Sequence, residues 1–583
     1  MQGSTQPKRW TISPDRPEAA DLAHRLKVSP LVAQALLSRG LTETGDCQAF
    51  LSPNLKMLHE PAALPGVVIA AERIAAAVRD RRKIVIYGDY DVDGITAASI
   101  LWHALKILGA QVDYYIPHRI DEGYGLNPQA VGQIIDQGAQ LIVTVDCGVT
   151  AIESARVAAE RGVELIITDH HQWHDGQLPQ AAAIVHPRLS ADGAPTYPNP
   201  NLCGAGVAFK LAWQIALCMG GAARVSGEFR DFLIEATALA ALGTIADVVP
   251  LTGENRVLAH FGLCGLKSSK LIGIKALISS AGLTGQNLDS FHVGFLLAPR
   301  LNACGRMGHA RKAVRMLTDA PADEAMQIAV YLEEQNRLRQ NLEKQILADV
   351  LERIESDGFS PQRDRAIVVG ADAWHAGVIG IVAARIVERY CRPTVLVAFD
   401  PDQGQGSARS IPGFHLANAF AACSGHLISH GGHEMAAGLK VKRENFESFR
   451  RDFGDYARQH VDDAMLTPEI KLEAEAGLGQ MTEALVSDLH RLGPFGHGNR
   501  KPLFCFRDVQ VAAPPRVVGR AGEHLQIMIR QGNARAKCIA FRQANLVNRL
   551  NPGTSIELAA EPTINEFNGY RSVELDVKDL RFT

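Results

Sequence analysis

The chain has 583 residues, 46% of them hydrophobic and 21% charged, a length that exceeds one hydrophobic core and a composition that excludes a disordered polymer. A net charge of −3 and a pI of 6.7 exclude a globally basic nucleic-acid binder, so any such contact must rest on local patches. Ten cysteines without a CxxC pair argue against a zinc site or a disulfide framework and read as reduced core residues.

Residues 1–60 read as a helical cap, with "SPLVAQALLSRGL" amphipathic and the first residues too polar for a secretory signal. From 61 to about 260 strands and helices alternate, the pattern of an α/β lobe with a mainly parallel sheet, and that lobe is expected to extend over 61–320. The expected strands are "KIVIY", "VDYYI", "LIVTV", "ELIIT" and "AAIVH". The most apolar stretch, "ALAALGTIADVVPL", is too short to span a bilayer and contains Asp247, so no membrane association is expected and a cytoplasmic location is. Residues 321–358 read as one long polar helix joining two lobes, with Leu338, Leu342, Ile346, Val350 and Ile354 on one stripe and Asp357-Gly358 as its stop. A second α/β lobe follows over 359–464, carrying "AIVVG" and "PTVLVAF" as strands and "HAGVIGIVAARIVERY" as a helix. Over 465–583 short alternating strands and the Asn568-Gly569 turn predict a small barrel of OB-like type. Between Arg516 and Arg549 it has seven Lys or Arg and one acid, Glu523, and Phe541, Phe567 and Tyr570 are candidates for base stacking.

Chemistry collects at the strand ends, where ligands bind in open α/β sheets. The run "GDYDVDG" (88–94) brings Asp89, Asp91 and Asp93 to a strand-to-helix turn. It opens like an EF-hand, but position 12 counted from Asp89 is Ile100, and no GK[ST] follows to make a Walker loop. "LIVTV" ends in Asp146, "ELIIT" in Asp169, His170 and His171, and a further apolar run in Asp247. One acid after a strand is ordinarily a helix cap. Carboxylates crowded at several exits repel one another unless cations neutralise them, and two divalent ions are the natural answer. Mixed carboxylate and imidazole donors favour Mn2+, with Mg2+ able to serve.

The motifs "GDYDVDG", "VDCG", "TDHH" and "ADVVPL", in this order, resemble those of the DHH phosphoesterase superfamily. Four further segments, "APRLNACGRMGHA", "WHAGVIGIVAAR", "GSARSIPGFH" and "GGHEMAAG", resemble its RecJ branch, bacterial single-strand-specific 5′→3′ exonucleases. The resemblance spans nearly the whole chain. It implies a DHH lobe, a long connecting helix, a DHHA1 substrate lobe and an OB-like barrel. It implies metal ligation by Asp91, Asp93, Asp146, His170 and Asp247, with Asp146 bridging two ions. Where the wider superfamily has a ligand His four residues before Asp91, this chain has Tyr87, and Asp89 is the expected substitute. His171 is implied beside the scissile phosphate. Arg119, Arg306, Ser407, Arg409 and His433 are implied in gripping DNA phosphates, the 5′ phosphate first. The implied reaction is release of 5′ mononucleotides from single-stranded DNA in repair and recombination, by a monomer working with single-strand-binding protein and a helicase. Two alternatives stand beside it: a DHH hydrolase of small nucleotides, which has no use for the C-terminal barrel, and a non-enzymatic DNA scaffold, which has no use for the acids.

Overall fold

The structure is a computed structural model that describes residues 8–118, 122–123, 125–173, 176–190, 197–221, 224–567 and 569–583. The chain divides into two compact units, one of residues 52–339 with 493–500, the other of 1–51, 340–492 and 501–583.

The first unit is built on a five-stranded, all-parallel sheet: β1 (Ile84–Gly88), β2 (Val112–Tyr115), β3 (Leu141–Val145), β4 (Glu164–Thr168) and β5 (Ala183–Val185), in spatial order β2-β1-β3-β4-β5. β1 and β3 are buried at every position, as their unbroken β-branched and apolar runs require when helices cover both faces. The helices that position the site are α1 (Val92–Ile107), α2 (Gly204–Gly220), α3 (Gly227–Ala246), α4 (Gly253–Leu266) and α5 (Ala298–Met307). α6 (Arg311–Leu317) packs against α1. Inside this packing Lys210 of α2 forms a salt bridge with Glu254 of α4, both side chains fully buried. Glu254 also accepts from the Tyr197 hydroxyl (2.7 Å) and the His59 N–H (2.9 Å), so the buried charge is surrounded by donors.

The long helix α7 (Ala322–Ser356) runs from the first unit into the second and stops two residues before Gly358, whose φ of 66° is a left-handed stop. Its expected stripe is buried only towards the C-terminal end, at Ile346, Val350 and Ile354; Leu338 is exposed.

The second unit holds a mixed sheet, β6 (Ile367–Asp372), β7 (Thr394–Phe399), β8 (Gln403–Arg409), β9 (Leu427–Gly432) and β10 (Ala436–Lys442), ordered β9-β10-β8-β7-β6, with α8 (Ala376–Tyr390) packed on it. It also holds the barrel strands β11 (Phe504–Val518), β12 (His524–Gln531), β13 (Ala534–Ala540), β14 (Ser555–Phe567) and β15 (Tyr570–Phe582). The order β11-β12-β13-β15-β14 closes through a β11–β14 pairing, and β13 runs parallel to β15, which makes the five strands a closed OB-type barrel. β14 and β15 meet with Phe567 opposite Tyr570, the register of a two-residue hairpin; Asn568 and the Phe567 side chain lie outside the described residues.

Three expectations change. The N-terminal segment is not wholly helical: Arg9–Ile12 is a strand, paired in parallel with Glu469–Leu472 at the approach to the barrel. Trp10 seals the join, donating through Nε1 to Asp579 (2.7 Å) while Arg581 lies 4.1 Å over its ring. The 15-residue strand β11 was not expected, because Pro514 and Pro515 interrupt its pattern; they fall between Ala513 and Arg516, where the ladder to β12 shifts register. All cysteines are free, but Cys264 is exposed and is no core residue.

Candidate metal centre

The turn after β1 builds the site by capping. Asp91 is the N-cap of α1, its carboxylate accepting from the N–H groups of Asp93 (2.9 Å) and Gly94 (3.1 Å). A Cβ on Gly94 would lie 2.5 Å from the Asp89 carbonyl oxygen, so only glycine lets the chain fold back this tightly. Asn302 of α5 accepts from the Val92 N–H (3.1 Å) and braces the turn from outside. Asp93 is 1% exposed and accepts from Ala205 N–H (2.9 Å) and Gly204 N–H at the start of α2. The N-termini of α1 and α2 thus both meet the acids, and their dipoles favour negative charge there.

The other strand exits converge on the same point. Asp146, after β3, has φ 62°, a left-handed conformation that Asp tolerates better than most residues. His170 Nε2 faces three carboxylates: Asp146 Oδ1 at 3.1 Å, Asp247 Oδ2 at 3.6 Å and Asp93 Oδ2 at 3.7 Å. Donor atoms meet within 4.8 Å in three overlapping groups: Asp89, Asp91 and Asp146; Asp146, His170 and His171; Asp93, His170 and Asp247. Asp146 and His170 each belong to two of them. Gly204 makes room, since a Cβ there would lie 2.6 Å from the Asp146 Cβ.

The electrostatics are those of buried carboxylates that repel one another. Burial, then the charges of Asp93, Asp91, Asp89 and Asp247, push the Asp146 carboxyl well above the usual carboxylate range. Burial, then Asp93 and Asp91, raise Asp247. Burial, then the neighbouring His171, lower His170, which keeps its imidazole neutral. Asp146 Oδ1 and His170 Nε2 are both buried without a hydrogen-bond partner. Such atoms are rare in folded proteins unless a cation is their partner. The donor set of carboxylates and neutral imidazole fits divalent ions of the Mn2+ and Mg2+ type.

His171 is arranged differently. Burial pulls its pKa down, but the hydrogen bond and charge of Asp169 outweigh burial and hold it at about 9. Asp169 accepts at Oδ1 from His171 Nδ1 (2.8 Å) and from the N–H groups of His170 (2.7 Å) and His171 (3.1 Å), and at Oδ2 from Val149 N–H (2.9 Å). One carboxylate fixes both histidines. Sequence reasoning quoted Asp169 inside the "DHH" run and gave it no role, although an acid directly before paired histidines was the available signal.

Tyr87 takes no part in the cluster: its ring stacks on Tyr115 (5.4 Å) and its hydroxyl donates to the Gly125 carbonyl (3.0 Å). Asp89 is 3% exposed beside Asp91 and Asp146. Arg306 is half-buried in the last turn of α5, next to Gly305, which packs on the Tyr90 carbonyl. Arg119 lies outside the described residues.

In the second unit, Ser407 and Arg409 lie on β8, with Arg409 Nη1 donating to Ser407 Oγ (3.3 Å). Gly380 in the first half of α8 sits against both: a Cβ there would be 2.7 Å from Ser407 Oγ and 3.1 Å from Arg409 Nη2. β10 places Gly438 opposite Ser407 and Ala436 opposite Arg409. His433 is exposed at the β9–β10 turn and donates its N–H to the Ala436 carbonyl (2.8 Å), which puts it on the same edge as Arg409. On the barrel, Phe541 and Tyr570 are exposed, at 52% and 83%. Of the basic side chains there, Lys537 is tied to Glu574 (2.9 Å) and Arg549 lies over Phe582.

Three family models match, in chain order: the DHH family N-terminal domain over residues 83–244, the DHHA1 domain over 364–459 and the RecJ OB domain over 472–579. The single-stranded-DNA-specific exonuclease RecJ of Bacillus subtilis is 37% identical over 98% of this chain and 70% of its own length. The crystal structure of Thermus thermophilus RecJ in complex with Mn2+ matches with a TM-score of 0.83 at 32% identity, covering 99% of this chain and 80% of that one. The same protein in complex with Mg2+ matches at 0.78 and 31%, covering 99% and 78%. Alike along nearly its whole length and in each of its three domain types, the chain belongs to the RecJ family of single-stranded-DNA-specific exonucleases.

Proposed function

We propose that this chain hydrolyses single-stranded DNA from the 5′ end in DNA repair and recombination, releasing 5′ mononucleotides with two Mn2+ or Mg2+ ions. The observation that carries it is the facing pair of buried acceptors, Asp146 Oδ1 and His170 Nε2, ringed by Asp93 and Asp247. Asp89, Asp91, Asp93, Asp146, His170 and Asp247 would hold the ions, with Asp146 shared between them. When bound, such a pair activates water and stabilises the leaving oxygen of a phosphodiester.

The chain's own residues supply the rest. With Nδ1 engaged by Asp169, His171 would meet a phosphoryl oxygen through Nε2–H, and a pKa near 9 keeps that proton in place at neutral pH. Ser407, Arg409 and His433 grip the 5′ phosphate, and Arg119 and Arg306 bind phosphates of the DNA backbone. The exposed rings of Phe541 and Tyr570 suit base stacking without sequence preference. The domain division 1–60, 61–320, 321–358, 359–464 and 465–583 belongs to this reading. So do a cytoplasmic, monomeric enzyme and partnership with single-strand-binding protein and a helicase.

The test is digestion of 5′-phosphorylated single-stranded DNA, labelled at either end, with Mn2+, with EDTA and with Asp146→Ala. Mononucleotides released only in the metal lane, duplex spared and the variant inactive, is the expected result. Binding without cleavage would overturn it in favour of a scaffold. Cleavage confined to the shortest oligonucleotides would move the assignment to the small-substrate DHH hydrolases.

A further inference from the structure

At the far end of α1 from the acids, a cavity of about 540 Å3 opens at the edge of the parallel sheet, between α1, β2 and α6. Its floor is Trp102 and Tyr114, both buried. Four cations line it, Lys106, Arg311, Lys312 and Arg315, against two carboxylates, Asp113 and Asp319. Arg315 is committed to Asp319 (2.5 Å) and Glu324 (3.1 Å). The other three have no carboxylate partner among the described residues. Each lies over an aromatic ring instead: Lys106 Nζ is 5.4 Å from the Trp102 centroid, Arg311 Cζ 5.7 Å from Tyr114, and Lys312 Nζ 4.1 Å from Tyr331. A cation held by a ring is positioned without being neutralised, so its full charge stays available to an anion. All three are solvent-exposed.

We propose that this cavity is an exosite for the phosphate backbone of single-stranded DNA, separate from the cleavage centre. The proposal rests on the reading of the chain as a single-strand exonuclease. Two features choose a nucleic-acid backbone over a small phosphorylated ligand. The cations come from two helices along an open sheet edge. Among the described residues no Asn, Gln, Ser or Thr lines the cavity, and beside the charged groups His309 and the Tyr114 hydroxyl offer polar contacts. The recognition is therefore electrostatic and independent of sequence. Asp93 stands in the first turn of α1 and Lys106 in its last, about 20 Å apart at 1.5 Å per residue. That span is about six stacked nucleotides at 3.4 Å each. The exosite therefore holds only strands that extend well beyond the bond being cut.

The test compares the full chain with a Lys106→Gln/Arg311→Gln/Lys312→Gln variant and a second in which the same three become Glu. Substrates are 5′-phosphorylated strands of about 4 and about 20 nucleotides, on either side of that span. The expected result is KM for the long strand raised about tenfold, more in the Glu variant, with kcat and the short strand unchanged. The salt slope of long-strand binding falls by about 2, as loss of three phosphate contacts at about 0.7 each requires. An unchanged long-strand KM in both variants overturns the proposal, and so does an equal loss on both strands. A nucleoside triphosphate that binds the wild type stoichiometrically, fails to bind the variants and leaves long-strand KM untouched assigns the cavity to a small ligand and also overturns it. Fluorescence anisotropy of the long strand in EDTA reads the exosite without catalysis, so absent cleavage sinks the exonuclease reading while a retained, charge-dependent binding difference still scores the exosite.

Discussion

At the scale of single residues, the cluster trades stability for binding. In the metal-free chain the Asp247 carboxyl is raised above its ordinary value, so the folded state holds a proton that the unfolded state has already released. The cost is absent at low pH and grows as pH rises from about 4 upward. Asp247→Asn removes it, and thermal melting in EDTA at pH 8 is expected to show a higher Tm than wild type, with the gap closing towards pH 4. The same variant is expected to lose Mn2+ binding by calorimetry. Asp169 acts one step out. Asp169→Asn releases His171 from its charged partner and is expected to lower kcat by about 10–100-fold, the usual effect of losing an outer-shell partner. Its pH–rate profile is expected to lose its alkaline limb near 9 and fall at lower pH, because His171 then gives up its proton earlier. The acids were legible in the sequence because charges at the exits of buried strands have few structural uses. Asp169 was not, because a carboxylate that spends itself on local N–H groups is spelled no differently from a ligand.

At the scale of elements, the site depends on how closely α2 approaches β3. Gly204→Ala puts a methyl 2.6 Å from the Asp146 Cβ, so one of them must move. Mn2+ affinity is expected to fall steeply while the far-ultraviolet circular dichroism stays that of wild type. The Lys210–Glu254 bridge ties α2 to α4 in the interior. Glu254→Leu leaves a buried ammonium and is expected to cost about 3–5 kcal/mol by denaturant unfolding, whereas Lys210→Met/Glu254→Leu together recover most of it. The parallel sheet and long helix were readable from period alone. β11 was not, because two prolines sit where a ladder normally needs N–H donors, and the barrel accommodates them only by shifting register. Leu338 shows the converse: its spacing matched the buried stripe of α7, but burial depends on what lies opposite, which periodicity does not encode.

At the scale of the whole molecule, the sequence conveyed which domains exist and in what order, since each has its own hydrophobic rhythm. It did not convey which distant segments join. Residues 493–500 group with the catalytic unit although the chain on either side belongs to the other, and the His497 carbonyl accepts from Leu251 N–H (2.8 Å), four residues after Asp247. Nothing local marks such a contact. The join between Trp10 and Asp579 is of the same kind, and it has a consequence in time. The two residues are 569 positions apart. At ribosomal rates of ~5–20 residues per second, Trp10 leaves the tunnel roughly half a minute to two minutes before its acceptor is made. The strand Arg9–Ile12 keeps an open edge until Glu469–Leu472 emerges to pair with it, and until then it is exposed to pairing with other strands. From then on the pairing waits only for its seal: a ribosome stalled between residues 472 and 579 leaves the two strands joined but Trp10 without its Asp579 acceptor.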